Sequence, residues 1–401
     1  MYYMKSAILS IQSMSPTIPL HARMYSRVPL LICRYGKHIS QEQVSELVSP
    51  HPDTLALVKS WLQYNGVPHS SVSATHDGDW LTLTGVPVSK ANEILSASYE
   101  LYRHTKTNET IIRTLGYALP EVLHAHVKTI SPTTLFASTK TLRMTPRGHI
   151  VRPAVDQAKA ASGKPMKVLL SREEEPEVNF VTPDYLRWLY KTFAYRPVSM
   201  RSNKIGIAGF INEYPSETDL TKFMTEFRAD ATDANFTVSK VNGGYDESLP
   251  GVEANINIQY ASAMAYPTPH TFYSIGGGTE YFTDDGKPAP GDVFLKWYEF
   301  LVARKNIPQT ISISYGADER DFPPDYATAV CELFAKLGVR GVSILFASGD
   351  DGVGAGDCKG KDGKVQFIPL FPASCTYDVS PILSSSTQAQ VQVTHQTPMV
   401  S

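Results

Sequence analysis

The sequence lacks any uninterrupted apolar run of 18 or more residues, which excludes a membrane-spanning helix as its organising element. It also lacks a charge surplus. The 37 Lys and Arg stand against 39 Asp and Glu, a net charge of −2. Nucleic-acid binding draws on excess basic side chains to neutralise phosphates, so nucleic acid is not the expected partner. Cysteine is scarce, four residues in 401, and no two stand at C-x-x-C spacing. Neither a zinc ribbon nor a thioredoxin-like motif is therefore read. Cys358 and Cys375 flank a Gly/Lys/Asp-rich loop. A disulfide between them is one reading and free thiols the other. The apolar stretch Ala7–Ile11 is shorter than the roughly 7–15 residues a secretory leader uses, so residues 1–33 stay unassigned.

What is present fits a folded, multi-domain chain. Hydrophobic residues make up 42% and charged residues 19%, enough apolar surface for one large core and a smaller one. Residues 34–137 read as an α+β unit. Ser40-Gln-Glu-Gln43 has the form of a capping box. A second helix starts near Asp53 with Leu57, Val58, Trp61 and Leu62 on one face. The turn Asp77-Gly78-Asp79 leads into the strand Trp80–Thr84, and Lys90–Tyr99 reads as a helix. Residues 138–178 have no sustained apolar period and read as an exposed, mobile linker.

From residue 179 to 377, strands and helices alternate. Strands are expected over 204–210, 271–274, 310–315 and 341–347, and helices over 250–264, 293–304 and 324–337. Ala327, Val330, Cys331, Phe334 and Leu337 are expected to face inward on the last helix. Such alternation predicts a parallel sheet covered on both faces, with functional groups at the carboxyl ends of the strands. Residues 378–401 are polar and Gln-rich, and read as a disordered or poorly packed tail.

Three motifs have chemistry to offer. In Glu253-Ala-Asn-Ile-Asn257, positions 253 and 257 share a helix face, with Ile256, Tyr260 and Ala263 on another, apolar one. Taken alone, a carboxylate there is a helix-start charge favoured by the macrodipole. Ser348-Gly-Asp350-Asp-Gly-Val-Gly354 follows an apolar strand, where an Asp can project into a cleft. Without a following Lys-Ser/Thr it is no phosphate loop, and taken alone it is an Asp-Gly turn. Ser312-Ile-Ser314-Tyr315-Gly316 ends another strand and can line a peptide-binding edge or simply belong to the interior. Two glycosylation sequons occur, Asn108-Glu-Thr110 and Asn235-Phe-Thr237, a triplet short enough to arise by chance.

Together with Phe371-Pro-Ala-Ser-Cys375, these motifs follow the order and spacing of the sedolisins, the serine-carboxyl peptidases that include fungal tripeptidyl-peptidases. Arg34-Tyr-Gly36, His51-Pro-Asp-Thr54 and Trp80–Leu83 resemble that family's activation domain. The resemblance spans Arg34 to Tyr377. It implies an incomplete subtilisin-like α/β catalytic domain behind an activation prodomain, and an extracellular or acidic location. The implied partners are a peptide or protein substrate and the chain's own prodomain, with no nucleic acid and no membrane. By the resemblance, Glu253 matches the base and Asp350 the oxyanion Asp. Ser314, Tyr315 and Gly316, at the strand end that can line a peptide-binding edge, are the expected substrate-binding residues. Asn257 replaces the family's orienting Asp, and no Gly-Thr-Ser nucleophile stretch occurs. Ser384, Ser385 and Ser386 lack that context. The family's C-terminal calcium site has no counterpart in the sequence, so no cofactor is expected in this chain. His270 reads as structural or exposed. The resemblance thus implies a peptidase by descent, with the chain as written inactive. A non-catalytic peptide-binding scaffold and a truncated gene product are the alternatives.

Overall fold

The computed structural model describes residues 3–11, 38–136 except 104 and 106–109, 181–276 except 196, 198–202, 211–212 and 245–249, then 293–350, 359, 363–375, 381–383 and 389–391. The linker read over 138–178 lies outside them.

The N-terminal unit is a four-stranded antiparallel sheet with helices packed on it. The strands are β1 (Tyr3–Ile11), β2 (Val72–Ala74), β3 (Trp80–Pro87) and β6 (Val127–Ser131), in the order β2-β3-β1-β6. The segment left unassigned therefore holds a central strand. Leu9 sits opposite Leu81 on one side and Ile130 on the other. Ala7, Leu9 and Ile11 are buried at alternate positions, the period of a strand. Helix α1 (Gln41–Val48) starts at the expected capping box: Gln43 N donates to Ser40 Oγ and Ser40 N to Gln43 Oε1. Helix α2 (Pro52–Tyr64) fully buries Thr54, Val58 and Leu62, while Leu57 and Trp61 are only partly covered. Helix α3 (Val88–Leu95) stops short of the expected end, because Ser96 takes a left-handed φ of 46°. A separate hairpin pairs β4 (Glu100–Arg103) with β5 (Thr110–Arg113).

The second unit is built on a five-stranded parallel sheet in the order β12-β10-β7-β9-β8. These strands are β7 (Ile205–Gly209), β8 (Phe236–Val241), β9 (His270–Ile275), β10 (Thr310–Ile313) and β12 (Ser343–Phe346). Side chains alternate across it. Ala208 and Tyr273 join the cluster under α7 (Val293–Val302) and α8 (Pro324–Val339), with Trp297, Tyr315, Phe334 and Phe346. Ile207 and Phe272 join the opposite cluster under α5 (Glu217–Phe227) and α6 (Val252–Ala265). Gly209 is required by this packing, since a Cβ there would lie 2.2 Å from the Phe272 ring. A short helix, α4 (Pro183–Leu189), precedes the sheet, and Tyr260 on α6 donates to Val181 O beside it. The two-stranded pair β11 (Ala317–Asp318) and β13 (Leu370–Phe371) lies outside the main sheet.

Three expectations are corrected. The disulfide joins Cys331 to Cys375, not Cys358 to Cys375. Cys331 lies on α8, 44 residues from its partner in sequence, and packing on the sheet brings the two together. Cys358 lies outside the described residues. Ile256 is exposed rather than part of an apolar face, because α6 turns Ala254, Ile258 and Ala263 to the core. In the tail, β14 (Pro381–Leu383) and β15 (Ala389–Val391) pair antiparallel where no order was read.

The two units meet across α1, the Asp77–Asp79 turn and α8. Val44 and Val48 pack on Ala335 and Val339, and Ile39 N donates to Val339 O. Trp80 inserts into the large core of the second unit. At the centre, the fully buried Lys336 ammonium is bonded to Asp79 and lies 3.5 Å from Asp77, which also accepts from Tyr298 Oη at 3.2 Å. Lys128 of β6 pairs with Glu332 of α8 at 2.6 Å.

Candidate active site

The residues singled out in the sequence gather at the carboxyl ends of the parallel strands. Helix α6 begins there because Glu213, four residues beyond β7, caps it: its Oε2 accepts from Glu253 N at 3.0 Å and Ala254 N at 3.3 Å. A carboxylate on these otherwise unpaired amides also meets the positive end of the helix dipole. Gly251 makes room for it, since a Cβ there would fall 2.5 Å from Glu213 Oε2.

Glu253 stands in the first turn of α6 and is 5% exposed, so it does not lie on a solvated face. One turn on, Asn257 Nδ2 donates to Glu253 Oε1 at 3.1 Å. Asn257 Oδ1 accepts from Ser314 Oγ at 2.9 Å. Ser314 is the first residue past β10, so the chain Ser314–Asn257–Glu253 ties the helix to the end of a strand. The serine hydroxyl fixes which way the amide points. With Oδ1 taken by Ser314, the NH2 group faces Glu253 and can only donate, which suits an ionised carboxylate.

Asp350 leaves the end of the neighbouring strand. Ile313 and Phe346 are paired in register, Ala347 N donates to Ile313 O, and Asp350 lies four residues past Phe346, exposed. Gly349 before it has φ of +89°, a conformation that favours glycine. Of the residues proposed to bind substrate, Ser314 is half-buried and engaged with Asn257. Tyr315 is fully buried, its ring 5.2 Å from Phe210, so only its backbone is available to a ligand. Gly316 is buried beside it. Ser384, Ser385 and Ser386 lie outside the described residues. Among the described residues no three His, Cys, Asp or Glu side chains are grouped to hold a metal ion, so no ligands are assigned to the calcium that the resemblance implies.

Glu213 was not found from the sequence. It follows an apolar strand, but the amides it serves lie 40 residues on, and only the sheet order joins them. The pairing of Asp77 and Asp79 with Lys336 was likewise hidden, because Asp-Gly-Asp is sufficient as a turn signal and Gly78 does take φ of +75°.

Comparison with known proteins agrees with this picture. Residues 33–136 match the family model described as Pro-kumamolisin, activation domain. The chain is 31% identical over 359 residues to tripeptidyl-peptidase SED2 of Arthroderma otae, covering 86% of this chain and 58% of that protein. It is 32% identical over 360 residues to tripeptidyl-peptidase SED4 of the same organism, covering 86% and 56%. The chain thus spans little more than half the length of these relatives. A Pseudomonas sedolisin, a serine-carboxyl proteinase solved with pseudo-iodotyrostatin, aligns with 50% of this chain and 52% of its own at 16% identity. Its TM-score of 0.37 is too low to carry an argument.

Proposed function

We propose that the chain belongs to the sedolisin family of serine-carboxyl peptidases, and that it is the zymogen-type part of an acid-acting peptidase that cuts peptides as a tripeptidyl-peptidase or endopeptidase. The observation that carries the reading is the buried Glu253, held by Asn257 at the carboxyl ends of the sheet. In this reading Glu253 is the general base. A carboxylate can still accept a proton at a pH where a histidine base would already be protonated. Asp350, protonated in acid, donates to the developing oxyanion. Asn257 orients Glu253 by donating to it, without the charge or the shared proton that a carboxyl group would supply. The nucleophile is a serine in a Gly-Thr-Ser setting, which none of the 401 residues provides. The chain as given is therefore expected to be inactive. The disulfide Cys331–Cys375 supports an oxidising, extracellular route. No described helix is long and apolar enough to cross a membrane.

The test is a tripeptide-release assay between about pH 3 and 6. The chain as given should show no turnover, with or without Asn257→Asp, because neither form offers the base a hydroxyl to activate. A chimera continuing past Tyr377 with the Gly-Thr-Ser-bearing segment of a tripeptidyl-peptidase relative should release tripeptides. In it, Glu253→Ala should lower kcat by roughly three orders of magnitude or more. A folded, active chimera indifferent to Glu253→Ala would overturn the assignment. A second reading, a non-catalytic peptide-binding scaffold, is favoured by Asn257 itself, which is satisfied on both sides without any carboxyl group at that position.

A further inference from the structure

We propose that Asn235 is an N-glycosylation site and that its oligosaccharide shields the open edge of the parallel sheet. The inference rests on the secretory route read above. Asn235-Phe-Thr237 is one of two sequons, and the other, at Asn108, lies outside the described residues. Three features set Asn235 apart from a chance triplet. The first is access: its side chain is exposed, in a turn after Ala229–Ala231 and immediately before β8. Its Nδ2 donates to Asp233 O at 3.2 Å. A glycosylated amide keeps one N–H, so that bond can survive the modification.

The second is position. Strand β8 is the outer strand of the sheet, bonded to β9 on one side, with no described strand on the other. Thr237 and Lys240 along it are exposed. An open edge presents unpaired backbone groups to other chains, and natural sheets guard such edges. A bulky, hydrated group at the first residue before the strand would do so here.

The third is timing. In the folded protein Thr237 Oγ1 is engaged by His270 O at 3.3 Å and Thr271 Oγ1 at 3.1 Å, both from β9. Thr237 pairs in register with Thr271, 34 residues later in the chain. The sequon hydroxyl therefore stays free on the growing chain until β9 has been made. The donor is a lipid-diphosphate-linked oligosaccharide. Asn235 Nδ2 forms a bond to the anomeric carbon, the bond from that carbon to the diphosphate oxygen breaks, and one amide proton is lost.

The test is secretion of the 401-residue chain from yeast behind a cleavable leader, followed by glycosidase release in heavy-oxygen water and peptide mass analysis. We expect the label on Asn235, now converted to aspartate. Asn235→Gln and Thr237→Ala should each remove one mobility step, and Thr237→Ser should keep it. Secreted Asn235→Gln protein should self-associate more at equal concentration. An unmodified Asn235 in secreted protein whose Cys331 and Cys375 resist alkylation would overturn the site and leave the secretory reading intact. Free, alkylated Cys331 and Cys375 in the secreted protein would instead count against the secretory reading itself. Occupancy with unchanged self-association would overturn the shielding role.

Discussion

His270 opens β9 from a position 4% exposed, and burial pushes its pKa down to about 4, although bonds to the backbone of Ala261 and Thr268 oppose the shift. The consequence for stability has a definite sign. Between the unfolded value near 6.5 and about 4, the unfolded chain binds a proton that the folded chain refuses. Folding stability therefore falls as pH drops through that window, and this residue adds no further slope below it. At about 1.4 kcal/mol per pKa unit, the loss is on the order of 3 kcal/mol. His270→Gln, which cannot titrate, should flatten this part of the profile. Urea midpoints at neutral pH and near pH 4 measure it, and an unchanged difference between them would show that His270 is not the group responsible. The effect opposes an acid working range, so any protein acting there must hold its fold by other groups.

At the scale of elements, the start of α6 decides whether Glu253 is positioned at all. The helix has no side-chain cap from Gly251, and Glu213 takes that place from another segment. Glu213→Ala would leave two buried amides without their acceptor, a loss of roughly 1–3 kcal/mol. Glu213→Gln, which keeps an acceptor oxygen, should lose less. Thermal unfolding of the two variants compares them, and equal losses would mean that the cap contributes nothing through its hydrogen bonds. This element also shows what a sequence makes legible. Glu253 and Asn257 drew notice because positions four apart share a helix face, and their roles came from the resemblance. Four of the five parallel strands were legible as compact apolar runs, whereas β8 was missed because Thr237, Ser239 and Lys240 interrupt its apolar residues. Strand β1 escaped notice because its alternation rests on only Ala7, Leu9 and Ile11, and its partners Leu81 and Ile130 are far along the chain. Glu213 and the Cys331–Cys375 bond escaped for the same reason: each depends on contacts that exist only once strands and helices have been ordered into layers.

Across the whole molecule, the two units are joined by apolar contacts around a buried ionic cluster. Lys336, from α8, meets Asp77 and Asp79 of the activation unit, and Tyr298 donates to Asp77. Burial and the nearby aspartates hold the Tyr298 hydroxyl well above its ordinary pKa, so it stays a donor. Such a cluster is asymmetric in its energetics. Removing one partner strands the others in a low-dielectric site, with a penalty of about 3–5 kcal/mol, whereas replacing all the charges together can be nearly neutral. Lys336→Met alone is therefore expected to loosen the activation unit from the second unit by that amount, because two carboxylates would remain facing each other. Lys336→Met combined with Asp77→Asn and Asp79→Asn should regain most of it. Hydrogen exchange at the backbone of α1 and α8, whose contact contains the Ile39 N to Val339 O bond, reads the docking directly. Equal protection in the single and triple variants would mean that the apolar contacts of Val44, Val48 and Trp80 hold the units together by themselves. Fast exchange confined to the single variant would identify Lys336 as the group that makes this face accept an acidic turn, and so as a determinant of which activation domain it accepts.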